Sequence, residues 1–181
     1  MDSINKNQEG DHRKDLTGEE AGKKFKEPMD AANTCFFCTR LRSNEPFIPR
    51  PMAPQKVDEN GTAWFLSAVD SHKNAQIMED PKVQLLFQGS DYSEFLTMYG
   101  TATITQDQAK IDELWDPSLK TWFTEGKEDP RITVIEVTPE DGYYWDVKNN
   151  EMVSFAKRMI GSLIGKTMDD SIEGKLTNPA S

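Results

Sequence analysis

Apolar positions at helical and alternating spacing divide the chain into short elements. Ala21, Phe25 and Met29 fall at i, i+4 and i+8, one stripe of a helix. Thr17 is placed as its N-cap, with Glu19 and Glu20 in the favourable first turn, and Pro28 should end or kink it. Thr34–Arg40, rich in aromatic and small apolar residues, reads as a first strand. Pro46–Pro54 is extended, but Pro49, Pro51 and Pro54 cannot donate ladder hydrogen bonds, so it should be an edge, a bulge or an irregular strand. Asp58-Glu59-Asn60-Gly61 is a hairpin signal. In the next strand, Ala63–Val69, residues Trp64, Leu66 and Ala68 face one way and Phe65, Ser67 and Val69 the other. Ser71 can cap a helix from His72 to about Glu79, which Asp80-Pro81 ends.

The second half continues the pattern. Lys82–Gln88 is a strand with Val83, Leu85 and Phe87 on one face. Glu94–Thr105 is a long alternating strand, and Gly100 in its middle suggests a bulge or a close approach. Asp107–Trp115 and Ser118–Phe123 are short helices. Arg131–Val137 and Tyr143–Val147 are strands joined by the turn residues Thr138-Pro139-Glu140-Asp141-Gly142. Ser154 could cap a last helix running to about Gly165. About six strands at short spacing, with small helices between them, predict a mainly β fold. A single barrel with peripheral helices fits better than an open parallel sheet, which would need a helix after nearly every strand. The expected organisation is a disordered tail over 1–16, one domain over 17–165 and a loose polar tail over 166–181.

Composition narrows the function classes. The 181 residues carry 31 Asp and Glu against 21 Lys and Arg, a net charge of −10. Phosphate neutralisation dominates nucleic-acid affinity and anionic lipids attract basic clusters, so neither partner is expected. No apolar run is long enough for a transmembrane helix, and the N-terminus lacks the apolar core of a signal peptide, which together predict a cytoplasmic protein. Cys35 and Cys38 form a C-x-x-C, but zinc needs about four ligands and no second cysteine pair exists. On a strand the odd spacing puts the two sulfurs on opposite faces, so they read as buried core residues and no metal is expected.

Against that acidic background, Arg50, Lys56, His72 and Lys73 gather around the predicted hairpin and the helix start after it. A phosphate dianion suits a guanidinium, an ammonium and the amides of a helix N-terminus, and Arg50, Lys73 and the amides after Ser71 could supply all three. Read alone, Arg50 and Lys73 are more simply solvated surface charges and Trp145 a core residue.

The order of Arg50-Pro51-Met52, the strand Trp64-Phe65-Leu66-Ser67, the helix start Ser71-His72-Lys73-Asn74 and the strand Tyr144-Trp145-Asp146 resembles the flavin-binding split barrels related to pyridoxamine 5'-phosphate oxidase. The general stress protein subgroup is the nearer likeness, and it covers about Glu19 to Gly165. The resemblance implies a six-stranded antiparallel split barrel and a homodimer with two flavin sites at the interface, usually for FMN. It implies that Arg50 and Lys73 grip the FMN phosphate with Ser71 and His72 alongside. It further implies that Leu66 and Ser67 meet the edge of the flavin ring, that Lys56 lies near the ring's polar edge, and that Trp145 reaches the ring from the other subunit. Two departures argue against the oxidase activity itself. Glu151-Met152-Val153 stands where the oxidase has an Arg-x-His, and Phe95 stands where it has a flavin-contacting Gln.

The expected function is therefore a flavin-dependent oxidoreductase on a small molecule, in which the cofactor does the chemistry and the protein supplies position. The alternative is a non-catalytic flavin-binding sensor, carrier or reservoir. FAD or a deazaflavin could replace FMN. Haem ranks low, because His72 lies in the phosphate turn instead of at an axial position.

Overall fold

A computed structural model of the chain describes residues 12–41, 49–91, 93–147 and 171–178. Its elements are β1 (Leu16–Thr17), α1 (Gly18–Ala31), β2 (Cys35–Cys38), β3 (Arg50–Met52), β4 (Lys56–Val57), β5 (Ala63–Ala68), α2 (His72–Glu79), β6 (Lys82–Gln88), β7 (Phe95–Thr105), α3 (Gln108–Leu114), β8 (Ile132–Val147) and β9 (Ser171–Thr177). Two 3₁₀ turns, Pro117–Thr121 and Gly126–Glu128, link α3 to β8.

Six strands form one antiparallel run, β3-β2-β6-β7-β8-β5. This run is the split barrel, and among the described residues its end strands β3 and β5 do not pair with each other. It is nevertheless strongly curled, because Phe37 of β2 and Phe65 of β5, far apart along the sheet, meet edge to face at 5.3 Å. The expected hairpin joins β4 to β5. Asp58 accepts from the amides of Asn60 and Thr62, and Gly61 takes the positive φ of +80° that the turn needs.

The alternation of β5 separates two cores, as the pattern predicts. Ala63 and Phe65 join the barrel interior, where α1 lays Ala21, Phe25 and Met29 against Phe37, Leu85, Met98 and Ile135. Trp64 and Leu66 face the other way and pack with Ile111 and Leu114 of α3, Phe123, Ile132 and Val134. Cys35 and Cys38 are buried free thiols, and burial pushes the Cys35 thiol up to about 12.

Four expectations are corrected. Of the two alternatives for Pro28, ending α1 is the one overturned: the proline sits inside the last turn, and its carbonyl accepts from the amide of Ala32. The two strands expected at Arg131–Val137 and Tyr143–Val147 are one continuous β8. Its first half pairs with β5 and its second half with β9, while β7 lines its other edge throughout. The turn-like residues between them build a bulge: Tyr99 and Gly100 face Asp141 and Pro139, so Glu140 is the extra residue. Its carboxylate receives Lys82 and the hydroxyl of Thr101. Gly100 is there for close approach, since a Cβ on it would lie 2.3 Å from the Thr138 carbonyl oxygen.

The other two corrections concern the termini. Residues 12–16 do not belong to the expected disordered tail: β1 runs parallel to β9, and the Lys14 amide donates to Glu173 O at 2.9 Å. Residues 171–178 were expected in a loose polar tail, yet β9 takes up the edge of β8 and buries Leu176 completely against Leu16 and the barrel core. The last helix expected from Ser154 and the triplet Glu151–Val153 lie outside the described residues. Among the described residues no helix is long and apolar enough to cross a membrane.

Candidate functional site

The β5–α2 junction concentrates polar side chains at the end of an otherwise apolar strand. Ser71 has extended backbone angles and its hydroxyl accepts from the Asn74 amide at 3.2 Å, which caps α2 as the sequence predicts. Its Oγ lies 3.2 Å from Ser67 Oγ, the last inward-facing position of β5. Lys73, two residues further on, is only 6 % exposed and donates its ammonium to Ser67 Oγ at 2.6 Å. Among the described residues no carboxylate pairs with Lys73. Burial, and then the nearby Arg50 charge, lower its pKa from 10.5 to about 8.

Arg50 approaches from the edge strand β3. Its guanidinium donates to Thr39 Oγ1 and to Gln76 Oε1, both at 3.0 Å. Behind these cations, Asn74 donates to Thr133 Oγ1 at 2.8 Å, and Thr133 donates to the Ser67 carbonyl at 2.9 Å. The Asn74 amide oxygen is buried and has no partner among the described residues. Two cations, two hydroxyls and a capped helix start therefore converge on one spot, an arrangement suited to an oxyanion.

Leu66 contributes through its backbone. Gln55 on the β4 side donates to the Trp64 carbonyl at 2.7 Å. Alternation then turns the amide and carbonyl of Leu66 to that same edge, where no described strand continues past β4. The Leu66 side chain is committed to the α3 core. Of the predicted residues, Arg50, Ser67, Ser71 and Lys73 come together, with Leu66 beside them in the chain.

The other three do not join that cluster in this chain. Lys56 is held by Glu113 of α3 and lies over the Trp64 ring, 5.8 Å from its centroid. His72 is exposed on the first turn of α2. Trp145 is 41 % exposed on β8, beside Tyr143 at 4.7 Å between ring centroids and opposite Phe95 of β7. Thr39, Asn74, Gln76 and Thr133 were not anticipated. Asn74 closes the helix-start motif Ser71-His72-Lys73-Asn74, and the signal for Gln76 is its place three residues after Lys73, on the same helix face; Thr39 and Thr133 declare themselves only through tertiary contacts.

Residues 20–169 match the family described as pyridoxamine 5'-phosphate oxidase like. The chain belongs to this family. It is similar to general stress protein 26 of Bacillus subtilis, with 32 % identity over 84 residues that cover 44 % of this chain and 59 % of the relative. It is also similar to protein bli-3 of Neurospora crassa, with 27 % identity over 66 % of this chain and 61 % of that one. The aligned part thus spans about three fifths of each of these relatives. A general stress protein 26 structure from Jannaschia sp. CCS1 superposes with a TM-score of 0.71 at 19 % identity, covering 85 % of this chain and 96 % of its own. The structure called a general stress FMN/FAD binding protein from Xanthomonas citri gives 0.58 at 24 % identity, covering 68 % and 87 %. At these identities the structural likeness establishes the split-barrel fold alone.

Proposed function

We propose that this protein binds FMN through its phosphate at the β5–α2 junction, and that it is a flavin-dependent oxidoreductase acting on a small molecule. The observation that carries the reading is the buried Lys73, bonded to a hydroxyl and set beside Arg50. A buried ammonium without a carboxylate is costly, and a bound dianion would remove that cost. The open backbone edge at Leu66 adds a place where a heteroaromatic ring could exchange hydrogen bonds with the chain. The description of the Xanthomonas citri relative as an FMN/FAD binding protein agrees with this choice of ligand. When bound, the flavin would supply the redox chemistry, and the residues here would hold and orient it.

The proposal extends to a homodimer in which Trp145, exposed and flanked by Tyr143, reaches the ring held by a second copy. Pyridoxamine-phosphate oxidation is not part of the proposal, because Phe95 occupies the strand position where that enzyme carries a polar group.

The test is an absorbance spectrum of the freshly purified protein, followed by titration with FMN and with riboflavin while flavin fluorescence is read. Flavin bands or saturable quenching, with FMN bound tighter than riboflavin, are expected. A protein that ignores both ligands refutes the reading. Bound FMN that NADH and NADPH fail to reduce, and that passes electrons to no acceptor, would keep the binding site and turn the function to storage or sensing.

A further inference from the structure

Arg50 sits on a poor support for a residue that must aim. Its strand has three residues, pairs on one side only among the described residues, and is bracketed by Pro49 and Pro51. A long guanidinium side chain on such an edge has many rotamers open to it. Among the described residues, two side chains from elsewhere in the chain hold it. Gln76 Oε1 accepts from Arg50 Nη2 at 3.0 Å and from Thr39 Oγ1 at 2.5 Å, while Thr39 Oγ1 also accepts from Arg50 Nη1 at 3.0 Å. Thr39 is 2 % exposed, so this end of the triangle is anchored in the barrel wall.

Gln76 stands three residues after Lys73, so the two share a face of α2. One helix therefore presents the ammonium directly and fixes the guanidinium through an amide. Both acceptors in the triangle are neutral. They orient Arg50 without cancelling its charge, whereas a carboxylate at position 76 would form a bidentate pair with it and compete with any anion.

We propose that Gln76 is a positioning residue that aims Arg50 at the phosphate-ester group of the ligand, and that its neutral amide keeps the site selective for a dianion. This rests on the reading of the β5–α2 junction as a phosphate site. It concerns a residue that touches Arg50, with no contact to the flavin required.

The experiment compares wild type, Gln76→Glu and Gln76→Met by fluorescence titration with FMN and riboflavin, with thermal melting of each variant followed by circular dichroism. Wild type binding FMN no better than riboflavin would overturn the phosphate reading and this inference with it. If wild type prefers FMN, Gln76→Glu should weaken FMN by tenfold or more and change riboflavin by less than twofold. Gln76→Met, of similar length but with no strong acceptor, should weaken FMN by an intermediate factor at an unchanged melting temperature. Equal losses for the two ligands, or an FMN affinity within twofold of wild type in both variants, would leave the phosphate site standing and overturn the role of Gln76.

Discussion

At the scale of single residues, the informative group is Lys73. The sequence shows it as one of four cations near a helix start, and the type of residue already suggests a phosphate. What it does not show is burial, which depends on Ser67 and Arg50 arriving from two other strands. Burial has a consequence in pH. The pKa of Lys73 falls from 10.5 to about 8, because desolvation and then Arg50 disfavour its charged form. Between those values the folded protein holds fewer protons on Lys73 than the unfolded chain, so this group's cost to stability shrinks as pH rises through that window. Anion binding must run the other way. A phosphate ester gains its second charge near pH 6, so FMN affinity should rise from pH 5 to about 7. Above about pH 8 it should fall as Lys73 loses its proton. Lys73→Arg should abolish that alkaline fall, since a guanidinium stays charged. Affinities by fluorescence titration from pH 5 to 10 decide it; a flat profile from pH 7.5 to 9.5 in wild type would show that Lys73 does not face the anion. The same paired titration applies to Arg50→Ala, which should weaken FMN by tenfold or more and spare riboflavin. Lys56 marks the limit of residue-level reading. Its charge is visible in the sequence, but Glu113, far along the chain, claims it.

At the scale of elements, alternation and capping were good guides wherever one face of a strand or helix is buried. The two faces of β5 and the cap of α2 followed directly from them. They failed where local chemistry imitates something else. Thr138–Gly142 has the composition of a turn, yet it continues β8, because β7 offers a partner on one edge and Glu140 can be extruded as a bulge that Lys82 and Thr101 receive. Ser171–Thr177 looks polar, yet its buried positions Gly174 and Leu176 alternate, and a vacant edge of β8 suffices to order them. Gly100 tests the bulge. A methyl group there would meet the Thr138 carbonyl oxygen at 2.3 Å, and its other near neighbours are also backbone atoms of Thr138 and Pro139, with no flexible side chain to yield. Gly100→Ala should therefore destabilise the protein by about 1–3 kcal/mol, as overpacking of a close contact does. Urea unfolding would measure it; a variant as stable as wild type would mean that the two strands can separate at the bulge without loss.

At the scale of the whole molecule, one face of the barrel carries exposed aromatic rings among the described residues. Residues directly opposite on paired strands share a face, so Pro51, Phe36, Leu86, Thr97 and Tyr143 form one row across five strands, with Phe95 and Trp145 beside it. Phe36 is 53 % exposed and Trp145 41 %, and a cavity of about 650 Å³ opens among Phe36, Pro51, Leu86 and Phe95. Exposed aromatic rings aligned on one sheet face suit an interface, and a two-fold dimer would bury them against its own copy. Light scattering at micromolar concentration should give twice the 20.5 kDa of the chain. Phe36→Lys should then yield a folded monomer whose melting point is lower, by what the dimer contributed, and no longer depends on protein concentration. If the flavin site is shared, that monomer should also lose most of its FMN affinity, although Phe36 lies outside the Ser67–Lys73 cluster. A variant that stays dimeric would place the interface on another face, and a monomer that keeps full FMN affinity would show that one chain completes the site without Trp145 from a partner.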